Sequence, residues 1–408
     1  MIKLFKLHPA SVKAIQKGHP WVTLDSFSRK FPNDKEFIFG GTDKDRPVAL
    51  LLHDPEHKQI RARLWIEGTD LLSDRENFQR EFAARLKTAI AKRLSLGIQS
   101  ERDNFYLLFG EADFIPGLFI QKFKDRIFIQ SKMSFWSKKK SLYKKFLKNT
   151  FEEMFPNEEL SYWFQERKIS KKGSLSLLFQ DEENLPKHSS SFLIEEFGIN
   201  YQIRIHASFD PGIYTDMSAQ RKELLPLIKE SKNILNLYSY TGAYSLYALK
   251  NSEAHVTSVD LSSNYLDWLE ENLNLNPELD KSRHTTVLNS VQNSLEQFSA
   301  KQKQFDLIIC DPPSSSNDGN VTTQAFKEYE NLVPRLFEVT QKNGYLVLFL
   351  NTHEIRQEKF HTKIKEIVKT LGKVKILPIN IKLKEDCPTL KGFPEGNYLK
   401  GIVLQKQF

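Results

Sequence analysis

The sequence predicts an α/β protein that ends in a parallel, doubly wound sheet, and three textures along its 408 residues carry the prediction. After about residue 200, apolar strand-like runs alternate with helical patterns, the mark of βαβ units. Residues 1 to about 68 hold only short strand-like runs separated by turn residues. Between these, from about residue 74 to 190, one strong helix is mixed with further strands. A chain of this length accommodates two or three domains, and the divisions fall at 1–72, 73–192 and 193–408.

Taken in order, "FIFGG", "PVALLL" and "QIRARLWIEG" read as strands of the first unit, with "DPEHK" supplying turn chemistry. From Asp74 to Gly97, Phe78, Phe82, Leu86 and Ile90 recur every four residues, which puts them on one face of a helix. "NFYLLFGEADFIPGLFIQKFKDRIFIQ" and "GSLSLLFQ" are strand-like, with a basic helical stretch between them. "NILNLYS" then leads into a helix from about Ala243, "HVTSVD" into "SNYLDWLEENLNLN", and "HTTVLNS" into "QNSLEQFSAK". "FDLIICDPPSSS" leads into a long helix ending near Gln341, and "GYLVLFLN" into "RQEKFHTKIKEIVKTLG".

No run approaches the roughly 18 to 20 apolar residues of a membrane span, and "MIKLFKLHPA" lacks the apolar centre of a signal peptide. A cytoplasmic protein with no membrane partner is therefore expected. Two cysteines, Cys310 and Cys387, make neither a disulfide framework nor a four-cysteine zinc site, and no metal is expected. The formal charge of +8 and a pI near 9.1 favour a polyanionic partner. From Lys122 to Lys148 ten basic residues face a single acid, Asp125. "FWSKKKSLYKKFLKN" is either a solvated helix whose aromatics face the core or a phosphate-tracking patch.

Four features fall at strand ends of the last domain, where open α/β sheets bind ligands. "NLYSYTGAY" stops a strand near Tyr238 and has Gly242 where backbone passes close to a ligand. Asp260 ends "VTSVD" eighteen residues later, near the spacing at which an acid accepts hydrogen bonds from ribose hydroxyls. Asn289 and Ser290 end the next strand, where an adenine edge would lie. "DPP" (Asp311, Pro312, Pro313) makes a stiff, extended corner fit to hold a planar base. The turn has no G-x-G-x-x-G, so it lacks the cradle a pyrophosphate requires, which argues against a nicotinamide oxidoreductase. A cofactor with ribose and adenine but no phosphate, S-adenosylmethionine (SAM), fits better.

With these residues in view, the sequence resembles the class I SAM-dependent ribosomal RNA large-subunit methyltransferases that carry an N-terminal PUA domain. The motifs run nearly the full length in order: "GHPWV", "FGEADFIPGLFIQKFKDRIFIQ", "DPGIYTDMSAQR", "NLYSYTGAYSLYA", "VTSVDLSSNYLDWLEENLNLN", "FDLIICDPPS" and "FPEGNYLKG". The resemblance implies a PUA-like RNA-binding domain, a central α+β domain and a Rossmann-like, seven-stranded methyltransferase domain acting on ribosomal RNA, with a homodimer compatible. Carried over, it assigns Asn236, Tyr238, Ser239, Tyr240, Thr241 and Gly242 to the methionine end of SAM. Asp260 takes the ribose, and Tyr214, Asp216 and Arg221 line the cofactor pocket. Asp311, Pro312 and Pro313 frame the transfer site. Met217 and Ser218 depart from a usual Gln-Arg pair, and Ser290 from an aspartate at the adenine. Lys13, Lys17 and His19, with Lys138, Lys139, Lys140, Lys144 and Lys145, become candidate RNA contacts, whereas Trp21 reads as a core residue.

Many members of that family methylate carbon 5 of cytosine, which needs a thiolate to add to the ring first. Their cysteine stands at the end of the strand after D-P-P, where this chain has Asn351 in "GYLVLFLNTHEI". Cys310 is expected to point into the core, and Cys387 lies in a later loop. A nitrogen acceptor requires no covalent adduct, and relatives that modify guanine resemble this chain in an Asn at this strand end and a D-P-P-[ST] motif with a nearby S-N. A guanine nitrogen is thus the preferred acceptor, with Asp311 accepting from an amino group, Asn351 on the base edge and His353 either structural or a proton shuttle. The alternatives are a cytosine-5 enzyme with another nucleophile and a non-catalytic RNA-binding protein that keeps a decayed SAM fold.

Overall fold

The computed structural model describes residues 2–23, 37–57, 59–68, 75–166, 174–178, 191–205, 211–313 and 321–407. These divide into two compact units. The first comprises 1–190, 205–211 and 385–396; the second comprises 191–204, 212–384 and 397–408.

The first unit holds two five-stranded sheets. One joins β1 (Leu4–Lys6), β2 (Trp21–Thr23), β3 (Ile38–Asp43), β4 (Arg46–His53) and β5 (Ile60–Glu67) in the order β1-β3-β4-β5-β2, with α1 (Pro9–Ile15) after β1. The other joins β6 (Asn104–Phe109), β7 (Leu118–Phe123), β8 (Arg126–Ser131), β9 (Ser161–Glu166) and β10 (Ser174–Leu177) in the order β10-β9-β8-β7-β6. Strand alternation on β4 explains how one sheet serves two cores. Ala49 and Leu51 face a small core with Leu7, Val12 and Phe39. Leu50 and Leu52 face the opposite way, into a larger core with Trp65, α2 (Arg75–Leu94) and the second sheet. The four-residue repeat Phe78, Phe82, Leu86 and Ile90 is the buried stripe of α2, and it draws both sheets onto one helix. The parallel step from β8 to β9 is made through α3 (Ser134–Lys138) and α4 (Lys140–Met154). Phe135, Trp136, Tyr143, Leu147 and Phe151 of these helices lie in the same core, so the aromatics of the basic stretch face inward.

The second unit opens with the hairpin β11 (Ser191–Glu196) and β12 (Ile199–Arg204), then α5 (Ser218–Glu223) and α6 (Leu225–Glu230). Strands and helices alternate from there: β13 (Asn233–Leu237), α7 (Ala243–Asn251), β14 (His255–Asp260), α8 (Ser263–Asn274), β15 (His284–Leu288), α9 (Val291–Ala300), β16 (Phe305–Cys310), α10 (Val321–Val339), β17 (Thr340–Asn351), α11 (Gln357–Val368), β18 (Val374–Ile376) and β19 (Leu399–Lys406). They form one seven-stranded sheet, ordered β15-β14-β13-β16-β17-β19-β18. The five strands from β15 to β17 run parallel; β19 is antiparallel to both β17 and β18. Helices cover both faces, which is why β16 reads as a nearly unbroken apolar run. The strand order reverses between β13 and β16, so the crevice for a ligand opens at the carboxyl ends of these strands.

Candidate active site

The turn after β13 is bent by three left-handed residues in five: Tyr238 (φ 56°), Tyr240 (φ 51°) and Gly242 (φ 85°). A tyrosine in this region is uncommon and costly, so the surroundings must enforce it. They do. The backbone N–H of Ser239 donates to the Val259 carbonyl at 3.0 Å, that of Gly242 to the Ser239 carbonyl at 2.9 Å, and that of Tyr240 to Asp260 Oδ2 at 2.9 Å. Gly242 caps α7, and a Cβ there would come within 2.5 Å of Leu269 Cγ on α8. The single glycine is required by backbone hand and by the closeness of a neighbouring helix.

Around this turn the residues expected at the cofactor separate into two groups. Those facing the crevice are Tyr214, Tyr240 and Asp260. Tyr214 is 46% exposed and its ring lies 5.2 Å from that of Tyr240, which meets Tyr265 edge-on at 4.7 Å. Asp260, half-buried, accepts from the N–H groups of Tyr240 and Ser262, both at 2.9 Å, an orientation that fixes its carboxylate at the strand end. Beside it Leu261 is 75% exposed, and Leu288, ending β15, is 59% exposed. Two bare apolar side chains flanking a fixed carboxylate suit a planar, uncharged ring system next to a ribose. Ser239 Oγ is buried at the same turn with no hydrogen-bond partner among the described residues.

The second group is internal. Asn236 is buried and its amide donates to Ser245 Oγ (2.8 Å), which lies 2.7 Å from Ser258 Oγ, itself 2.8 Å from His284 Nε2. This chain ties β13, β14, β15 and α7 together beneath the sheet's edge. Burial holds the His284 imidazole down to about 4, so it stays neutral. Thr241 donates through Oγ1 to the Gly212 carbonyl, and Gly212 N–H donates to the Tyr240 hydroxyl at 2.9 Å, which pins the "GIYTDM" segment to the turn. Arg221 is fully buried and donates through Nε to Glu196 Oε1 at 2.7 Å, while Ser218 Oγ donates to the other Glu196 oxygen. Ser218, which departs from the family pattern, thus completes a buried charge pair. Ser290 caps α9, accepting from Asn293 N–H at 3.2 Å.

The corner expected to frame the transfer site lies where β16 and β17 end as parallel neighbours. Asn351 Nδ2 donates to Asp311 Oδ1 at 2.9 Å. Burial raises the Asp311 carboxyl to about 7, the negative charge of Asp216 adds to the rise, and the Asn351 hydrogen bond opposes it. The Tyr398 hydroxyl donates to Asp216, and the Tyr398 carbonyl accepts from Thr352 N–H at 2.9 Å. His353 meets the Tyr398 ring at 5.3 Å. Tyr244, on α7, has a buried hydroxyl with no partner among the described residues, within electrostatic reach of Arg221, Asp311 and Asp216. Pro312 is buried and Pro313 exposed; Ser314, Ser316 and Asn317 lie outside the described residues.

Neither cysteine is at this corner. Cys310 is buried in the core beneath the sheet, its thiol pushed up by burial. Cys387 is buried in the first unit. Sequence reasoning gave no role to Tyr398, Tyr244, Leu261 or Leu288. The tyrosine sits in the quoted motif "FPEGNYLKG", but its partner Asp216 is 182 residues away. The exposed leucines had a local signal, an apolar residue at a polar strand end.

Of the residues expected at RNA, Lys13, Lys17, Lys138 and Lys145 are exposed. His19 is engaged internally, its Nε2 lying 3.2 Å from Glu395 Oε2, and Trp21 packs on Phe393 at 4.5 Å and donates to Glu111 at 2.8 Å. Lys138 pairs with Glu56 at 2.7 Å, and the ammonium groups of Lys139 and Lys140 sit over the rings of Phe37 and Phe164. Among the described residues no helix is long and apolar enough to cross a membrane.

The family model described as S-adenosylmethionine-dependent methyltransferase matches residues 185–376. Over 409 residues, spanning all of both proteins, the chain is 29% identical to "Putative ribosomal RNA large subunit methyltransferase YwbD" of Bacillus subtilis. It is 27% identical to "Ribosomal RNA large subunit methyltransferase I" of Pseudoalteromonas translucida over 96% of each. Among solved structures, "A putative sam-dependent methyltransferase from Streptococcus mutans" superposes with a TM-score of 0.82 at 20% identity, covering 99% of this chain and all of that one. A methyltransferase solved with S-adenosylhomocysteine, likewise called putative, gives 0.83 with the same coverage and identity.

Proposed function

We propose that this chain, whose residues 185–376 match the SAM-dependent methyltransferase family, methylates a base of large-subunit ribosomal RNA, and that the acceptor is a guanine nitrogen. The substrate class rests on the two relatives named for it, which align with the chain over nearly its whole length. The choice of nitrogen rests on one observation: the corner beyond D-P-P holds the pair Asp311–Asn351, while both cysteines are buried elsewhere.

The crevice fits the cofactor. Asp260 takes the ribose hydroxyls, Leu261 and Leu288 flank the adenine, Tyr214 and Tyr240 border the opening, and the orphaned Ser239 hydroxyl points to an unmade contact at the methionine end. When bound, SAM supplies an electrophilic methyl group on a sulfonium. The protein's own contribution is orientation and proton handling. Asn351 holds Asp311 in place and keeps its second amide atom for the base edge. Asp311, ionised above about pH 7, is placed to accept the proton that the acceptor nitrogen gives up on methylation. Burial, with the negative charge of Asp216 adding to it, keeps that carboxyl protonated below about pH 7. Asn236, Thr241 and Arg221 act beneath this layer as supports. The domains 1–72 and 73–192 serve RNA engagement in a cytoplasmic setting, and 193–408 carries transfer.

Nucleoside mass spectrometry of ribosomal RNA from cells with and without the gene tests both parts. Loss of one methylguanosine, restored by the wild-type gene and not by Asp311→Asn, is expected. Loss of 5-methylcytidine overturns the nitrogen assignment, and an unchanged methylation profile overturns the substrate.

A further inference from the structure

The segment Gly110–Phe123 of the first unit is buried throughout except at two positions: Ala112 is half-buried and Phe114 is 57% exposed. Phe114 adopts the left-handed conformation (φ 59°, ψ 21°), which a bulky residue rarely occupies. Its neighbours explain how it is held there. Asp113 receives both Arg93 amino groups at 2.7 and 2.6 Å and the Phe109 N–H at 2.7 Å. Glu111 receives Trp21 Nε1 at 2.8 Å and pairs with Arg63. The Phe114 carbonyl accepts from Arg85 at 2.6 Å, and Arg85 also donates to the Trp65 carbonyl and lies over the Trp65 ring. Gly110 and Gly117 pack against Phe119 and Met133 so closely that neither tolerates a Cβ. Two buried ion pairs and two close-packed glycines hold rigid a loop whose one exposed large side chain is a phenyl ring.

We propose that Phe114 is a stacking platform for an unpaired nucleotide base of the RNA substrate, an inference that rests on the ribosomal RNA reading. A lone ring in a buried neighbourhood offers too little apolar area for a protein partner but matches the face of one base. The charge around it suits a phosphate backbone. The loop's two acids are already paired with Arg93 and Arg63; Arg85 lies directly against the loop but is itself paired with Glu81 at 2.8 Å, so the positive charge offered to a backbone comes from the lysines nearby. Lys92, exposed and two helical turns from Arg85, falls on the same face of α2. Lys132 lies 4.0 Å over the Phe119 ring, which packs on Gly110.

The test uses the full-length protein and a single-stranded oligoribonucleotide carrying 2-aminopurine. Wild type and Phe114→Trp are expected to quench the fluorophore, and Phe114→Gly to bind roughly tenfold more weakly with quenching lost. Because glycine suits a positive φ, Phe114→Gly should melt no lower than wild type and bind SAM unchanged. Quenching and affinity equal to wild type in Phe114→Gly overturn the proposal, as does a variant that changes only self-association or binding to a ribosomal protein. Methyl transfer to ribosomal RNA by the wild-type protein, measured in parallel, reports separately on the substrate reading.

Discussion

In the proposed reaction Asp311 handles the proton, and its environment fixes the direction of several pH effects. Its folded-state pKa near 7 lies above the ordinary value of 3.8. Between those values the native state holds a proton that the unfolded chain has released, so this group makes stability fall as pH rises from about 4 to 7. Asp311→Asn removes that slope, and above pH 7 it should leave the fold as stable as wild type or more stable by about 1 kcal/mol, while transfer is lost. If Asp311 is the proton acceptor, kcat/KM for RNA at saturating SAM climbs to a plateau with a midpoint near 7. Asn351→Ala, which removes a hydrogen bond to the ionised form, should move that midpoint up. Asp216→Asn, which removes a neighbouring negative charge, should move it down. A midpoint that shifts in neither variant would take the base role from Asp311.

At the scale of elements, the turn between β13 and α7 shows what local sequence does and does not announce. The apolar strand, the glycine and the acid ending β14 were legible because strand period, turn chemistry and spacing are local properties. The left-handed tyrosines were not, since nothing in "LYSYTG" distinguishes a strained tyrosine from a relaxed one. Nor was the reason for the glycine, because α8 reaches it only in three dimensions. Asn236, Thr241 and Arg221 are expected at the cofactor from the resemblance; all three are buried and hydrogen-bonded within the protein, which only three dimensions reveal. Gly242→Ala combines the wrong backbone hand with a clash at 2.5 Å from Leu269, so a loss of roughly 2 to 4 kcal/mol is expected in urea unfolding. An unchanged midpoint would mean that α8 yields easily and that the glycine is there for a ligand after all.

For the whole molecule, the path of the chain matters more than the list of its elements. Between β18 and β19 the segment 385–396 belongs to the first unit, although everything around it in sequence belongs to the second. Alternation of strands and helices could not reveal this, because the segment has no strand and only one short 3-10 turn, Pro394–Gly396. Its anchors are buried charges: Arg102 donates to Asp386 Oδ1 at 2.6 Å, Tyr106 N–H to Asp386 Oδ2 at 2.6 Å, and Arg93 to the Asp386 carbonyl at 3.1 Å. Farther along, Phe393 and Glu395 close over Trp21 and His19. The motifs "GHPWV" and "FPEG" therefore meet, and the chain resumes at once with Asn397 and Tyr398, the latter bound to Asp216. Asp386→Ala removes the buried carboxylate that pairs with Arg102 at 2.6 Å, a loss of about 3 to 5 kcal/mol from the first unit. Hydrogen exchange should then rise in 385–396 and in β6. Protection in 385–396 and β6 equal to wild type would show that contacts other than the Asp386 carboxylate hold the segment in place.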